Sequence, residues 1–336
     1  MFEIKHTLCP SCSVGCGINV ILDNEEIVGT FPYKRHPVNE GKNCLNGRLS
    51  AENVTDRHPF DLKALNDAVN KLKSGSNEKT TVIFSGNNSN EDLEAIKSLC
   101  ESNGFNILAY ADNLKGFDSV ASYEDIENAS NIFVIGNILY ENPLVGRRIV
   151  RAKNNGAKIY VNDNLENTPT SNIADEFTSV SVKEFIENNN IDEESVIIFN
   201  KVDSFEDLNL IESTNSNLLP VYSKSNTKGA LNLVEAMSKE DAIELLNNTE
   251  ILLIFNDDTV NEIDFDFKSI SQIVVFSPSE NDTTEIADIV IPVKSWLEYD
   301  GSFTNCEGLT QKFSSLCESD YMSITDIIEK INEGLE

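Results

Sequence analysis

Apolar and polar residues follow two different rhythms along this chain, and the change falls near residue 60. Before it, "INVILDNEEIVGTF" (18–31) alternates apolar and polar positions around a turn-like DNEE, the period of a half-buried β-hairpin. "PYKRHPVNEGKN" (32–43) follows as a loop rich in Pro, Gly and Asn. Beyond residue 60, short continuous apolar runs alternate with helical stretches. The predicted strands are "TVIF" (81–84), "NIFVIG" (131–136), "KIYV" (158–161), "SVIIF" (195–199), "LLPVY" (218–222), "EILLIF" (250–255), "QIVVF" (272–276) and "DIVIP" (288–292). Between two of them, Leu93, Ile96, Leu99 and Cys100 fall on one helical face, with Gly104 as the stop. Val145, Ile149 and Ala152 do the same in a helix ended by Gly156. Near the end, Ser323 with Asp326 three residues on starts a helix carrying Ile327, Ile328 and Ile331. The expected fold class is α/β: a small N-terminal β-rich domain, too poor in core to stand without a metal, then Rossmann-like αβα units with parallel sheets.

Charge narrows the partners. The net charge of −30 repels phosphate backbones and anionic lipid, so neither nucleic acid nor a membrane surface is an expected partner. Residues 1–60 are near −1 and the remainder carries about −29. No apolar run approaches the roughly 18 residues needed to cross a bilayer, and "MFEIKHTLCP" has no signal-peptide core. The expected location is cytoplasmic, where clustered cysteines mean metal or redox chemistry rather than disulfides.

Four cysteines carry that chemistry, spaced Cys9-x2-Cys12-x3-Cys16-x27-Cys44. A structural zinc ordinarily shows two paired C-x-x-C knuckles, whereas a triple plus a returning single thiolate suits a [4Fe-4S] cubane. Zinc and unmetallated thiols are the alternatives. Gly15 and Gly17 let the loop close around such a cube. No histidine follows Cys12 directly, which excludes covalent haem. His6, His36 and His58 are the only histidines, and the latter two, each in an RHP tripeptide, read as packing residues. Cys100, Cys306 and Cys317 read as packed thiols. Nothing in the α/β region carries a G-x-G-x-x-G or P-loop fingerprint.

"CPSCSVGCGINV…PVNEGKNCLNGR" closely resembles the iron–sulfur entry domain of the molybdopterin oxidoreductases, the formate dehydrogenase alpha-subunit family. Residues 124–163, "NTKGALNLVEA" (226–236) and "TEIADIVIPVKSWLEYDGSFTNCEGLTQKF" (284–313) extend the resemblance, which is looser between 165 and 225. It implies a [4Fe-4S] domain at 1–58, a discontinuous αβα domain at 59–107 plus 191–313, an inserted αβα domain at 108–190, and a C-terminal helix at 314–336. It also implies a Mo/W-bis-MGD pterin, and here the sequence departs from the family. Asn46 stands where the family has a lysine bridging cluster and pterin. Residues 101–126 are shortened, with neither Cys nor His to bind the metal, and Asp163-Asn164-Leu165 replaces the family's DPR. The family's C-terminal β-barrel domain does not follow, which also resembles formylmethanofuran dehydrogenase, where that domain is a separate subunit. Similar losses mark the large iron–sulfur subunit of respiratory complex I.

The expected function is an iron–sulfur electron-transfer subunit of a formate dehydrogenase-like complex, with a degenerate pterin-binding body. Cys9, Cys12, Cys16 and Cys44 hold the cluster, while Asn46 and Arg48 face the body. Partner redox subunits of ferredoxin, flavoprotein or dehydrogenase type are implied. The alternatives are a catalytic Mo/W-pterin subunit completed by a separate chain, and a non-redox module in which the cluster is structural.

Overall fold

The structure, a computed structural model, describes residues 2–24, 26–51, 59 and 61–336. Strands β1 (Phe2–Leu8), β2 (Gly17–Asp23) and β3 (Glu26–Pro32) form an antiparallel sheet in that order. The alternation in β2 buries Ile18, Val20 and Leu22. Strand β1 was not expected, because its Phe2 and Ile4 face solvent and give no core signal. Pairing Leu8 with Gly17 turns residues 9–16, which carry three of the cysteines, into the β1–β2 connection. The Cys9 N–H closes that loop by donating to the Cys16 carbonyl at 2.8 Å.

Two five-stranded parallel sheets make up the body. One contains β4 (Thr80–Ile83), β5 (Asn106–Leu108), β11 (Ile251–Phe255), β12 (Gln272–Ser277) and β13 (Ile289–Pro292). Its order is β13-β12-β11-β4-β5. The other contains β6 (Asn131–Ile135), β7 (Lys158–Asn162), β8 (Glu176–Thr178), β9 (Val196–Phe199) and β10 (Asn217–Pro220), in the order β10-β9-β6-β7-β8. Every residue of β4, β9, β11 and β12 is buried, as expected of parallel strands covered by helices on both faces.

This pairing corrects the division expected at 190/191. Strands β9 and β10 belong with β6, Val196 lying opposite Ile132, so the inserted sheet runs on to residue 220 and the discontinuous one resumes at 251. An apolar run such as VIIF announces a buried strand but carries nothing that selects one sheet over the other.

The helices stop where the sequence places their signals. Ser89 caps Asn90–Asn103 with a capping box to Asp92, and Gly104 ends it at φ 69°. Helix Ile324–Leu335 starts on the Ser323–Asp326 capping box and lays its isoleucines on Asn90–Asn103 and on Leu62–Ser74. A short hairpin, β14 (Gly301–Thr304) with β15 (Thr310–Phe313), sits outside both sheets.

The cysteine loop is bonded to this body at several points. The Ser13 N–H donates to the Tyr222 carbonyl at 3.2 Å, and Ser13 Oγ accepts the Tyr222 N–H at 2.8 Å. The Ser13 carbonyl accepts the Cys306 N–H at 2.7 Å, and Tyr123 Oη donates to the Val14 carbonyl at 2.7 Å. Gln311 Nε2 donates to the Gly15 carbonyl at 3.1 Å, and Trp296 Nε1 to that of Leu8 at 3.1 Å. Arg148, from helix Pro143–Asn154, grips the loop before Cys44 by donating to the Val38 carbonyl at 2.6 Å. Its guanidinium also pairs with Glu127 at 2.6 Å and lies 4.4 Å from the Tyr123 ring centroid. The small N-terminal unit therefore takes its order from the body as well as from any metal.

Candidate metal centre and the cleft beside it

The fold brings Cys9, Cys12, Cys16 and Cys44 to the wall of one cavity, with Val14, Asn43, Gly47 and the Asn142-Pro143-Leu144 turn completing the lining. Cys44 reaches it from the start of helix Leu45–Leu49, where its Sγ caps the helix and accepts the Gly47 N–H at 3.4 Å. Two glycines are required by space. Gly15 has φ 78°, and a Cβ there would lie 2.2 Å from Gln311 Oε1. At Gly17 a Cβ would strike the His36 ring at 2.4 Å. His36 is thus packed on the loop, as expected, with its Nδ1 accepting the Gly17 N–H at 3.1 Å. His6 stacks on Tyr33 with ring centroids 4.1 Å apart. His58 lies outside the described residues.

Burial pushes the Cys9 and Cys16 thiols up, and carries Cys12 to about 12. Each of these three is raised further by at least one other thiol of the set, which reflects their convergence. Loading a metal here must therefore expel protons. Among the described residues no three His, Cys, Asp or Glu donors are gathered tightly enough for one metal ion. A single zinc would draw its sulfurs to roughly 3.8 Å of one another, from Zn–S distances near 2.3 Å in a tetrahedron. A cubane takes one thiolate per iron and leaves the sulfurs further apart, and the four cysteines on one cavity wall can supply one thiolate each. The carboxamide of Asn43 adds to the fit: both of its polar atoms are buried with no partner among the described residues, beside the thiols.

A cleft of about 370 Å³ opens on the other side of Cys12. It lies at the carboxyl ends of both sheets, where Tyr110–Asp112 follow β5 and Asn200–Lys201 follow β9. That is the switch-point position at which open α/β sheets take ligands. Asn46 and Arg48 are both exposed, and of the two only Asn46 lines the cleft, so Asn46 faces the body as expected and Arg48 does not line it. Asp163, Asn164 and Leu165 are not among the lining residues.

Sequence reasoning missed the ion cluster on this wall. Buried Lys224 pairs with Asp257 at 2.7 Å and Glu262 at 2.5 Å. Asp257 also accepts from Ser85 at 2.6 Å, Asn87 at 3.0 Å and Thr259 at 2.8 Å. The available signal was polar residues just beyond strand ends, "FND" after β11 and "YSK" after β10. Burial is the largest influence on Lys224 and opposes its charge, but the two carboxylates outweigh it and the net direction is up. Burial and Asp257 push Glu262 up to about 7 against the pull of Lys224. Since an ordinary glutamate sits near 4.5, the folded chain holds a proton between about pH 4.5 and 7 that the unfolded chain releases. Stability contributed here falls as pH rises through that window. Urea midpoints near pH 5 and near pH 7.5 should drop more steeply for the natural chain than for Glu262→Gln, and parallel slopes would refute the assignment.

The cleft offers little positive charge to a bis-dinucleotide. Its two lining cations are Lys224, held by two carboxylates, and Lys201, 3.6 Å from Glu141. Asp112, Glu141 and Glu262 add negative charge, and among the described lining residues the only thiol is Cys12. Diphosphates are favoured by free guanidinium or ammonium groups, and the cleft offers them none among its described lining residues. Cys100 is buried in its helix and Cys306 is buried against Tyr123 Oη at 3.3 Å, both packed thiols as expected.

A β-rich cysteine domain is thus set on the carboxyl ends of two parallel sheets. The sequence matches the molybdopterin oxidoreductase Fe4S4 domain over residues 2–56 and the molybdopterin oxidoreductase domain over 62–331. The chain belongs to the molybdopterin oxidoreductase family. It is 31% identical over 278 residues to the F420-dependent formate dehydrogenase 1 subunit alpha of Methanococcus maripaludis, covering 70% of this chain and 40% of that one. It is 32% identical over 249 residues to the corresponding subunit of Methanocaldococcus jannaschii, covering 62% and 36%. The chain thus spans about two fifths of the length of these formate dehydrogenase alpha relatives. A chain of the formyltransferase/hydrolase complex of Methylorubrum extorquens shares the fold with a TM-score of 0.55 at 14% identity, over 83% of this chain and 97% of that one. Among the described residues no helix is long and apolar enough to cross a membrane.

Proposed function

We propose that this chain is a single-cluster electron-transfer subunit of a formate dehydrogenase-like complex, its pterin cleft retained as scaffold. One contrast carries the reading: the four cysteines line one cavity, while in the adjoining cleft both cations among the described lining residues are paired with carboxylates and the only thiol among them is Cys12. Bound through Cys9, Cys12, Cys16 and Cys44, the cubane would supply one-electron chemistry. The chain's own residues fix the loop that carries it: Ser13, Val14 and Gly15 are tied to Tyr222, Tyr123 and Gln311. Cys12 lines both the nest and the cleft, and so offers the route toward a partner seated there. The partners would be redox subunits of ferredoxin, flavoprotein or dehydrogenase type.

A second reading keeps catalysis. The family match over 62–331 and the place of the cleft at the sheets' carboxyl ends suit a Mo or W pterin whose remaining contacts come from another chain. Element analysis of anaerobically purified protein separates the two. The first expects about four irons per chain and no Mo or W. Stoichiometric Mo or W with pterin fluorescence and formate-dependent dye reduction would overturn it.

A further inference from the structure

Asn43 stands directly before Cys44, and its side chain turns toward the thiols rather than toward protein polar groups. Three observations place it. It lines the same cavity as the four cysteines. A Cβ built on Gly47 would lie 3.3 Å from Cys9 Sγ and 3.6 Å from Asn43 Oδ1, so the carboxamide and the Cys9 sulfur flank one small glycine. Both Nδ2 and Oδ1 are buried without a hydrogen-bond partner among the described residues. A buried amide with neither end satisfied costs on the order of 1–3 kcal/mol and is ordinarily avoided. Since both ends are free, the NH2 group is available whichever way the amide is turned.

The neighbouring polar groups show what such a donor would do. The Gly47 N–H already donates to Cys44 Sγ, and Ser11 hydrogen-bonds to Cys9. The nest therefore surrounds its sulfurs with donors, and Asn43 is the one whose acceptor is missing from the protein. We infer that Asn43 Nδ2 donates a hydrogen bond to a sulfur of the bound cubane and thereby sets its reduction potential. A donor to sulfur favours the more negative, reduced cluster, so it raises the potential. Asn43 is a positioning and tuning residue: it neither ligates iron nor carries the electron.

This rests on the cluster assignment above, and the test keeps the two apart. Iron, acid-labile sulfide and the EPR spectrum of the natural chain are measured first; if no four-iron cluster is found, the cluster assignment fails. With the cluster present, midpoint potentials are read by EPR-monitored titration for the natural chain, Asn43→Leu and Asn43→Ala. Both variants should keep full iron and shift the reduced-to-oxidised ratio three- to tenfold toward oxidised, about 30–60 mV more negative at 59 mV per tenfold for one electron. The metal-free Asn43→Leu chain should unfold at no lower urea concentration than the natural one, since it loses no protein hydrogen bond. An unshifted potential in loaded variants overturns the inference. So does loss of the cluster from both variants, which would make Asn43 an assembly residue. A destabilised metal-free chain with an unchanged potential would show a purely structural role.

Discussion

Cys44→Ala protein is expected to emerge from anaerobic purification with less than about one iron per chain, against about four in the natural chain. The substitution does two things at once. It removes one of four thiolates from a nest whose other three members all sit on one loop, residues 9–16. It also removes the cap of helix Leu45–Leu49, because Cys44 Sγ accepts the Gly47 N–H. A lost cap alone costs on the order of 1 kcal/mol. Cluster loss costs more, since metal-binding free energy in a domain this small is folding free energy. The N-terminal unit should then unfold at lower denaturant. The body should keep its far-UV circular dichroism, because its two parallel sheets are paired without any strand of the N-terminal unit. Unchanged iron with an unchanged spectrum would mean that Cys44 is not a ligand.

Lys224→Met should destabilise the body by about 3–5 kcal/mol, the usual consequence of removing one partner from a buried ion pair. Lys224 is the cation facing Asp257, and both are buried. Without it the Asp257 carboxylate retains Ser85, Asn87 and Thr259 as donors but has no compensating charge. These groups span the place where β4 and β11 diverge, so the damage falls at the centre of the discontinuous sheet. The triple variant Lys224→Met, Asp257→Asn, Glu262→Gln should recover most of the loss, because no charge is then left buried. Urea unfolding of the three proteins decides it. A Lys224→Met penalty below about 1 kcal/mol, or a triple variant no better than the single, would show that the cluster is solvated rather than structural.

Much of this architecture could be read before any coordinates. The eight apolar runs all became strands, and Gly104, Ser323 and Asp326 mark helix ends where capping chemistry requires them. Strands β1, β5, β8, β14 and β15 were not legible. The first exposes Phe2 and Ile4, and the others are only three or four residues long. The cysteine spacing named the candidate ligands, but not that Cys12 would face two cavities or that Asn43 would be left unpartnered beside them.

By itself the sequence determined what is local: hydrophobic period, cap residues, and a triple of thiols close enough along the chain to share one loop. These follow from the dihedral geometry of neighbouring residues and from side-chain chemistry, and neither needs a partner far away. Only the tertiary structure decided which sheet β9 and β10 join, and that residues 224, 257 and 262 neutralise one another in the cleft. Sheet membership and charge balance depend on which distant segments the packed core brings together, and apolar runs of the same kind are interchangeable until that packing is fixed.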